Sequence, residues 1–412
     1  MAIEKPLRLL LVAPNISRNM GGEAFKALMI ALETQRRGAT VLQVSHSRVR
    51  GEIARSHPEL NVVYVEDSWI QILLHRMRFV PALLLLNAWQ LNRAARKAAR
   101  DFVPDIVHFT SPISPVLPYF SMPGFPMVIG PLNGNVGHPP AFTSREPLPK
   151  KLGRWLLRPT QKLLGAVFPA RRTATILVSG GERTAVALAL AGCSRSRIRF
   201  TVDSGVAPEL ADRPAIEHQG PNFAFVFLGR LVRYKAADLA ICALAEADVR
   251  CTLDIIGMGP EEPALRSLAQ SLGVHDRVRF LGWVQPGPAL YDRLGTYRAM
   301  VFPSLAEANG IVFQEAMMLG LPVVGLRWAG PAQLFEGIDS MLVDPGPQDE
   351  VITSLARAMN RLAIDPAHAN RLAAAARQRA MADYGWGALL ADWHLAYHLA
   401  IEEHRRDSVS VQ

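Results

Sequence analysis

The residues Pro303–Val324, PSLAEANGIVFQEAMMLGLPVV, hold a turn, an apolar helix and the start of a strand. Asn309-Gly310 is a turn-forming pair, and Gly320 ends the helical spacing. Val323-Val324 begins a β-branched run. Because the helix starts on a loop of small residues, its first N–H groups and the positive end of its dipole can face an anion. The stretch therefore predicts a loop and helix that bind an anionic group.

Two carboxylates accompany this loop, Glu307 before the helix and Glu315 eight positions later inside it. Helical side chains tilt toward the N-terminus, so the Glu315 carboxylate leans back to the loop. A carboxylate repels a phosphate, and it is better suited to accept hydrogen bonds from hydroxyl groups such as those of a ribose. The alternative is a helix with one acid in its first turn and one solvated acid.

A second charged segment lies upstream, where the apolar strand Phe223–Leu228 ends in Gly229-Arg230. Lys235 follows five residues after Arg230. Two cations after a strand suit a diphosphate, because each charge-assisted hydrogen bond contributes about 1.5–3 kcal/mol.

Together the two segments resemble the Glu-x7-Glu and Gly-Arg-x4-Lys-Gly patterns of the retaining GT-B glycosyltransferases, the family called family four or group one. Ala236 stands where that family has its last glycine. The resemblance implies a GT-B fold, with two doubly wound Rossmann-like domains facing across a cleft. It also implies transfer of a sugar from a nucleotide-diphosphate donor with retention of configuration.

Composition sets broad limits on the chain. Its 412 residues are half hydrophobic, which is enough for two domains with full cores, and its +9 charge favours anionic partners. The three cysteines have no metal or redox spacing, which fits a reducing cytoplasm, and no signal peptide opens the sequence. The longest apolar run, Phe79–Trp89, is too short to span a bilayer.

Apolar runs alternate with helical patterns along both halves, which predicts doubly wound α/β domains. The expected helices of the first half include Glu23–Arg37 and Pro81–Arg100. The expected strands are Leu7–Val12, Val41–Ser45, Val62–Val65, Ile106–Phe109, Met127–Ile129, Ile176–Val178 and Arg199–Val202, then Phe223–Leu228, Thr252–Ile256, Val278–Leu281, Ala299–Phe302, Pro322–Leu326 and Met341–Val343. We expect an N-terminal acceptor domain over 1–205, a proline-containing linker over 206–221, a nucleotide-sugar domain over 222–385, and a helix over 386–412 that crosses back to the first domain.

Ligands of such folds lie beyond the carboxyl ends of the strands, and three loops of the first domain follow strands. Gly21-Gly22 opens a helix, and the resemblance makes it a glycine-rich loop at the acceptor or phosphate; an ordinary turn is the alternative. The turn-rich loop Gly130–Pro139, with Asn133 and Gly134, is placed at the acceptor. His108 ends a strand, where a histidine is often a structural hydrogen-bonder. The resemblance instead makes it a catalytic residue that contacts the donor sugar, partly through its backbone carbonyl.

The second domain contains the remaining predicted site residues, those that bind the donor. By resemblance, Arg230 and Lys235 stabilise the leaving diphosphate, Glu315 binds the donor ribose, and Glu307 orients the sugar hydroxyls. The other predicted donor-binding residues are Asn309, Gly310, Ile311, Gly259, Trp283 and Val284. Trp283 could alternatively be a core residue. A dinucleotide fingerprint would need a glycine where Glu262 stands, which disfavours a nicotinamide cofactor.

The tract 150–172 alternates basic and apolar residues, a composition typical of a helix in an anionic membrane interface. A helix packed on the sheet with a solvated basic face is equally compatible. Relatives that act on lipid-linked acceptors favour the interface, and hence a cytoplasmic protein that is peripheral on the inner face of the plasma membrane.

No Asp-x-Asp pair and no Gly-Lys-Ser/Thr loop occur in the sequence, so we expect neither a metal nor a cofactor, and a nucleotide-diphosphate sugar as donor substrate. The expected acceptor is a glycan or a lipid-linked intermediate. The main alternative is a catalytically impaired protein that binds sugar nucleotides. A glycoside hydrolase using Glu307 and Glu315, and a GT-B epimerase or phosphorylase, also stay open. Nucleic acid is the least expected partner, because the basic residues lack aromatic interleaving.

Overall fold

The structure, a computed structural model, describes residues 6–77, 79–111, 119–134, 137–146, 161–163 and 165–410. The chain divides into two compact units. The first comprises Met1–Asn135, Gly153–Ser204 and Trp386–Gln412, and the second comprises Val136–Leu152 and Gly205–Gly385. The segment Val136–Leu152, which the sequence analysis placed in the first domain, groups with the second unit.

The first unit is a seven-stranded parallel sheet in the order β3-β2-β1-β4-β5-β6-β7. Its elements are β1 Arg8–Val12, α1 Gly22–Arg36, β2 Thr40–His46, α2 Arg50–Ser56, β3 Asn61–Val65, α3 Trp69–Arg76, α4 Val80–Phe102, β4 Ile106–Phe109, β5 Met127–Leu132, α5 Ala170–Thr173, β6 Thr175–Val178, α6 Gly181–Leu190 and β7 Ile198–Phe200.

The second unit is a six-stranded parallel sheet in the order β10-β9-β8-β11-β12-β13. Its elements are α7 Pro208–Ala211, β8 Ala224–Leu228, α8 Ala237–Glu246, β9 Thr252–Ile256, α9 Glu262–Ser271, β10 Val278–Gly282, α10 Pro288–Leu294, β11 Ala299–Phe302, α11 Ile311–Leu319, β12 Val323–Leu326, α12 Gly330–Leu334, β13 Met341–Val343, α13 Gln348–Ile364 and α14 Pro366–Asp383. The last helix, α15 Trp386–Ser410, belongs to the first unit.

The core of the first unit lies on both faces of its sheet. Leu9 and Leu11 of β1 pack in the same cluster as α1 and Trp393 of α15, whereas Leu10 and Val12 pack in the cluster on the α4 side. Because side chains alternate across a strand, a strand covered on both faces reads as a continuous apolar run. This explains why the predicted strands were found, and the expected pair of doubly wound sheets is confirmed. Only β7, Ile198–Phe200, is shifted toward the N-terminus relative to its predicted range, Arg199–Val202.

The predicted interfacial helix over 150–172 lies largely outside the described residues. Of its described part, Leu163 and Val167 are exposed, but Arg171 is buried beneath the ring of Tyr119, 5.6 Å from the ring centroid. Arg171 therefore does not belong to a basic surface, contrary to its assignment from the sequence.

Candidate functional site

The loop after β8 forms one wall of the candidate site. The Gly257–Gly259 loop lies so close to it that a Cβ on Gly257 would approach Gly229 O to 1.9 Å, and one on Gly259 would approach Leu231 O to 2.1 Å. Glycine is required there because only it permits this approach of two backbones. The structure thus gives Gly259 a packing role. Arg230 is exposed, and within the described residues it forms no ion pair.

Lys235 and Glu307 form an ion pair, and both side chains are largely buried. The Oγ of Ser304 lies 3.4 Å from Glu307 Oε1, and the backbone carbonyl of Tyr234 accepts hydrogen bonds from Leu305 N (2.8 Å) and Ser304 Oγ (3.1 Å). The loop after β8 and the loop after β11 are therefore joined, which brings the predicted phosphate cation and the predicted sugar carboxylate together.

The N-terminus of α11 adjoins this pair. Gly310 caps the helix in the left-handed conformation, with φ of 73°, and no side chain caps it. A Cβ on Gly310 would lie 2.7 Å from the Phe313 ring and 3.4 Å from Glu307 Oε2. The first N–H groups of the helix, at Ile311 and the next residue, have no intrahelical acceptor. Asn309 instead turns inward, and its Nδ2 donates to Gln314 Oε1 at 2.9 Å, so its amide supports the loop.

Glu315 lies one turn into α11 and is half-buried. Burial raises the pKa of its carboxyl group to about 7. The described residues provide it with no hydrogen-bond donor or cation, although its charge contributes to the raised pKa of Tyr291. An ionisable acceptor without a protein partner is available to bind ligand hydroxyl groups.

Trp283 follows β10 directly, and 60% of it is exposed. The alternative that Trp283 is a core residue is therefore wrong. Val284 beside it is half-buried, and Gly282 O accepts a hydrogen bond from Gly257 N at 2.7 Å. The loop that carries the predicted donor-binding residues Trp283 and Val284 is thus attached to the glycine loop beside β8.

The first unit contains a buried charged cluster at the carboxyl ends of its strands. Gly21 and Gly22 open α1 and face open space. One turn further along, Lys26 is fully buried, and its Nζ lies 2.9 Å from Glu23 Oε2 and 3.2 Å from Asp203 Oδ1. Burial lowers the pKa of Lys26, but the two carboxylates outweigh it, and the pKa is raised.

Two more loops meet on the same carboxylate. Asn133 Nδ2 donates to Asp203 Oδ1 at 3.3 Å, and Ser179 Oγ donates to it at 3.1 Å. Gly134 O accepts from Thr184 Oγ1 at 2.7 Å. The structure therefore brings Asn133 and Gly134 to the loop opened by Gly21 and Gly22. Lys26, Ser179 and Asp203 were not predicted from the sequence. A signal existed for Asp203, because it directly follows the predicted strand Arg199–Val202.

His108 is fully buried in the first unit. Its Nδ1 lies 2.8 Å from the Tyr397 hydroxyl of α15, and its Nε2 lies 2.8 Å from Gly130 O. Burial lowers the pKa of His108 to about 4, so the ring is neutral. Both ring nitrogens are occupied within the unit, which is the structural role considered as the alternative. The expectation that its side chain contacts a donor sugar is at odds with this placement.

The segment 137–146 supports the second unit. Its Gly137 O accepts a hydrogen bond from Trp328 Nε1 at 2.9 Å, and Arg145 pairs with Asp238 of α8 at 2.7 Å. A buried His138–Glu146 pair, 3.1 Å apart, holds the segment together. Part of the loop predicted at the acceptor is therefore built into the unit that carries Glu307.

The described residues lack both a candidate metal site and a membrane-spanning helix. They contain no group of three His, Cys, Asp or Glu side chains arranged to hold a metal ion, and metal independence stays a prediction. Their helices also include none with the length and apolar character needed to cross a bilayer.

The fold consists of two units, each built on a doubly wound parallel sheet. The second unit carries Lys235 and an uncapped helix N-terminus, both beside Glu307, and helix N-termini of this kind commonly bind anionic groups. Solved structures share this fold. A glycosyltransferase from Rickettsia africae matches with a TM-score of 0.67 and 14% identity, covering 96% of this chain and 99% of the other. Anabaena HepE, solved with UDP and glucose, matches with a TM-score of 0.63 and 18% identity, covering 96% and 99%.

Residues 209–379 match the family model described as glycosyl transferases group 1. The match lies within the second unit, and the chain has the GT-B fold. It is 36% identical over 169 residues to the lipopolysaccharide core biosynthesis glycosyltransferase LpsD of Rhizobium meliloti, covering 41% of this chain and 47% of the relative. It is 33% identical over 243 residues to a D-inositol 3-phosphate glycosyltransferase of Catenulispora acidiphila, covering 53% and 55%. The matches thus span about half the length of these relatives.

Proposed function

We propose that this protein transfers a sugar from a nucleotide-diphosphate donor to a glycan or lipid-linked acceptor of cell-surface polysaccharide or glycolipid synthesis. The observation that carries the proposal is the arrangement in the second unit, where Lys235 and the uncapped N-terminus of α11 lie on either side of Glu307. The proposal is also supported by similar proteins. One relative is named as a glycosyltransferase, and one structure of the same fold was solved with UDP and glucose.

The residues have separate roles in this proposal. Lys235, Arg230 and the first N–H groups of α11 stabilise the leaving diphosphate without a metal, because fixed cations and dipoles stabilise charge that develops in the transition state. Glu315 accepts hydrogen bonds from the donor ribose, and Glu307 orients the sugar hydroxyls once Lys235 has turned to the phosphate. Transfer retains the anomeric configuration, with the departing phosphate helping to deprotonate the acceptor.

The acceptor belongs to the first unit in this proposal, at the loops that meet on Asp203. The buried Lys26–Asp203 pair fixes these loops, and Gly21-Gly22 opens onto free space beside them. We place the protein in the cytoplasm, peripheral to the inner face of the plasma membrane.

Direct binding and turnover test the proposal. Thermal unfolding with a panel of UDP-, GDP- and ADP-sugars should give a rise in Tm with one nucleotide, because a ligand of the folded state stabilises it. That donor should be hydrolysed slowly without acceptor, with EDTA making no difference. Lys235→Ala should reduce turnover by about a hundredfold or more. Binding of none of the donors would refute the proposal, and loss of turnover on chelation would refute its metal-independent form.

The Lys235–Glu307 pair also favours a second candidate, a sugar-nucleotide-binding protein with impaired catalysis. If the pair persists in the donor complex, neither group can act on the donor. This candidate requires binding of a sugar nucleotide that stays intact over long incubation. Glu307→Gln would then tighten binding without creating turnover, whereas in an active enzyme it should reduce turnover.

A further inference from the structure

The first unit carries an exposed apolar surface on the hairpin of α3 and α4. It consists of side chains that are each at least 41% exposed, and we call it the hairpin face: Trp69, Ile70, Ile72, Leu73, Met77, Phe79, Leu85 and Trp89. A large contiguous apolar surface usually marks an interaction site, whereas single exposed apolar residues are normal.

The helix α3 is inverted relative to an ordinary surface helix. Its uncharged polar residue, Gln71, is buried and completes a capping box with Ser68, and the Nε2 of Gln71 donates to Asn87 Oδ1 of α4. Four of its five apolar residues are exposed, and Trp69 is 73% exposed. A surface helix normally buries its apolar stripe and exposes its polar one. Internal hydrogen bonds therefore hold α3 in the orientation that presents its apolar side chains outward.

The charged residues of the stretch that carries the hairpin face, 69–100, have one sign. No Asp or Glu occurs anywhere in residues 69–100. The described basic residues of this stretch are exposed: His75, Arg76, Arg93, Arg96, Lys97 and Arg100. The Arg93 guanidinium lies 5.6 Å from the ring centroid of Trp89, so one of the exposed aromatic residues directly adjoins the basic side of α4.

We propose that the hairpin face inserts into the interface of an anionic lipid bilayer, with the basic side chains of α4 on the lipid head groups. Tryptophan and phenylalanine beside Lys and Arg are the composition that binds membrane interfaces. Insertion is shallow, because the apolar part of α4 ends at Arg93 and is too short to span. This surface is distinct from the tract 150–172, and it does not depend on the proposed transferase activity.

Flotation of the full chain with vesicles tests the proposal. The protein should float with phosphatidylcholine vesicles that contain about a third phosphatidylglycerol and stay behind with phosphatidylcholine alone, because basic side chains recognise anionic lipid. Binding should weaken from about 0.1 M to about 0.5 M salt, because salt screens these charges.

Three variants locate the surface. Trp69→Ser/Met77→Ser/Phe79→Ser should reduce vesicle partitioning about tenfold or more through lost apolar insertion. Arg93→Gln/Arg96→Gln/Lys97→Gln should reduce it similarly and flatten its salt dependence. The matched control Val249→Ser/Ile364→Ser/Met381→Ser removes exposed apolar residues from the second unit and should bind as wild type. Equal Tm values would establish that all three variants remain folded.

Three results would overturn the proposal. The first is a wild-type chain that does not float with the anionic vesicles at low salt. The second is a dimer by light scattering that the hairpin triple, Trp69→Ser/Met77→Ser/Phe79→Ser, converts to monomer without a change in vesicle binding, because the hairpin face would then be covered by a second copy. Retained vesicle binding by the hairpin triple alongside loss in the control would place the membrane contact in the second unit and also refute it.

Discussion

Replacing Glu315 by glutamine should stabilise the second unit several times more at about pH 8 than at about pH 5. Burial raises the pKa of the Glu315 carboxyl in the folded protein from an ordinary 4.5 to about 7. Below 4.5 the group is protonated in both the folded and the unfolded chain, so it has no effect. As the pH rises from there to about 7, only the unfolded chain ionises, and stability is lost progressively. Above that range, the full penalty applies.

The size of the effect follows from the same numbers. The difference between 4.5 and about 7 corresponds to about 3 kcal/mol. Because Glu315 is only half-buried and water reaches part of the carboxylate, we expect about 1–3 kcal/mol. For a unit of this size, that raises Tm by about 3 °C or more.

Urea or thermal unfolding of wild type and Glu315→Gln across about pH 5–8 measures this difference. Glu336→Gln is the matched control, because Glu336 is an exposed glutamate of the same unit. The reasoning is refuted if Glu315→Gln gains as much at the low end of the pH range as at the high end, or if Glu336→Gln behaves in the same way. The stabilised variant should bind the nucleotide less tightly, since a site residue that costs stability is retained for its ligand.

Three further predictions concern single contacts. Ala236→Gly should stabilise the protein by about 1 kcal/mol in urea unfolding, because Ala236 adopts φ of 55° and a side chain in this region is strained. Lower stability of this variant would show that the lost packing of the methyl group outweighs the relieved strain. Lys26→Met should reduce the free energy of unfolding by about 3–5 kcal/mol, because it leaves Asp203 buried without its cation. Adding Asp203→Asn should recover much of the loss. Additive effects in this double-mutant cycle would contradict the pairing. Arg230→Gln should weaken binding of the nucleotide diphosphate about tenfold or more in calorimetry with an unchanged Tm, since Arg230 is exposed. A lowered Tm would indicate a structural role instead.

The strands and the donor loops were predictable because their signals are local in sequence. A buried parallel strand is an apolar run flanked by turn residues, and most of the thirteen strands that the structure describes carry such runs. The glycines of the second unit are also readable locally. Gly257 and Gly259 touch the backbone at Gly229 and Leu231, and no other residue type fits there.

Contacts between distant residues were not predictable in this way. Lys26 and Asp203 are 177 residues apart, and their pairing depends on how the five strands from β1 to β7 are ordered in the sheet. The direction of the His108 ring depends on Tyr397, 289 residues away. A strand-end histidine reads the same in sequence whether its ring faces a ligand or a helix. The inverted α3 is likewise invisible, since an apolar helix predicts burial until its neighbours are known.

The two units therefore differ in how their sites are built. In the second unit, the proposed anion site consists of backbone N–H groups, a loop lysine and glycine contacts within consecutive strand–loop–helix segments, so its signals lie close together in the sequence. In the first unit, the polar cluster depends on side chains from separate loops that meet only in the folded sheet. A substitution in the cluster of the first unit therefore leaves the local pattern of the second unit unchanged.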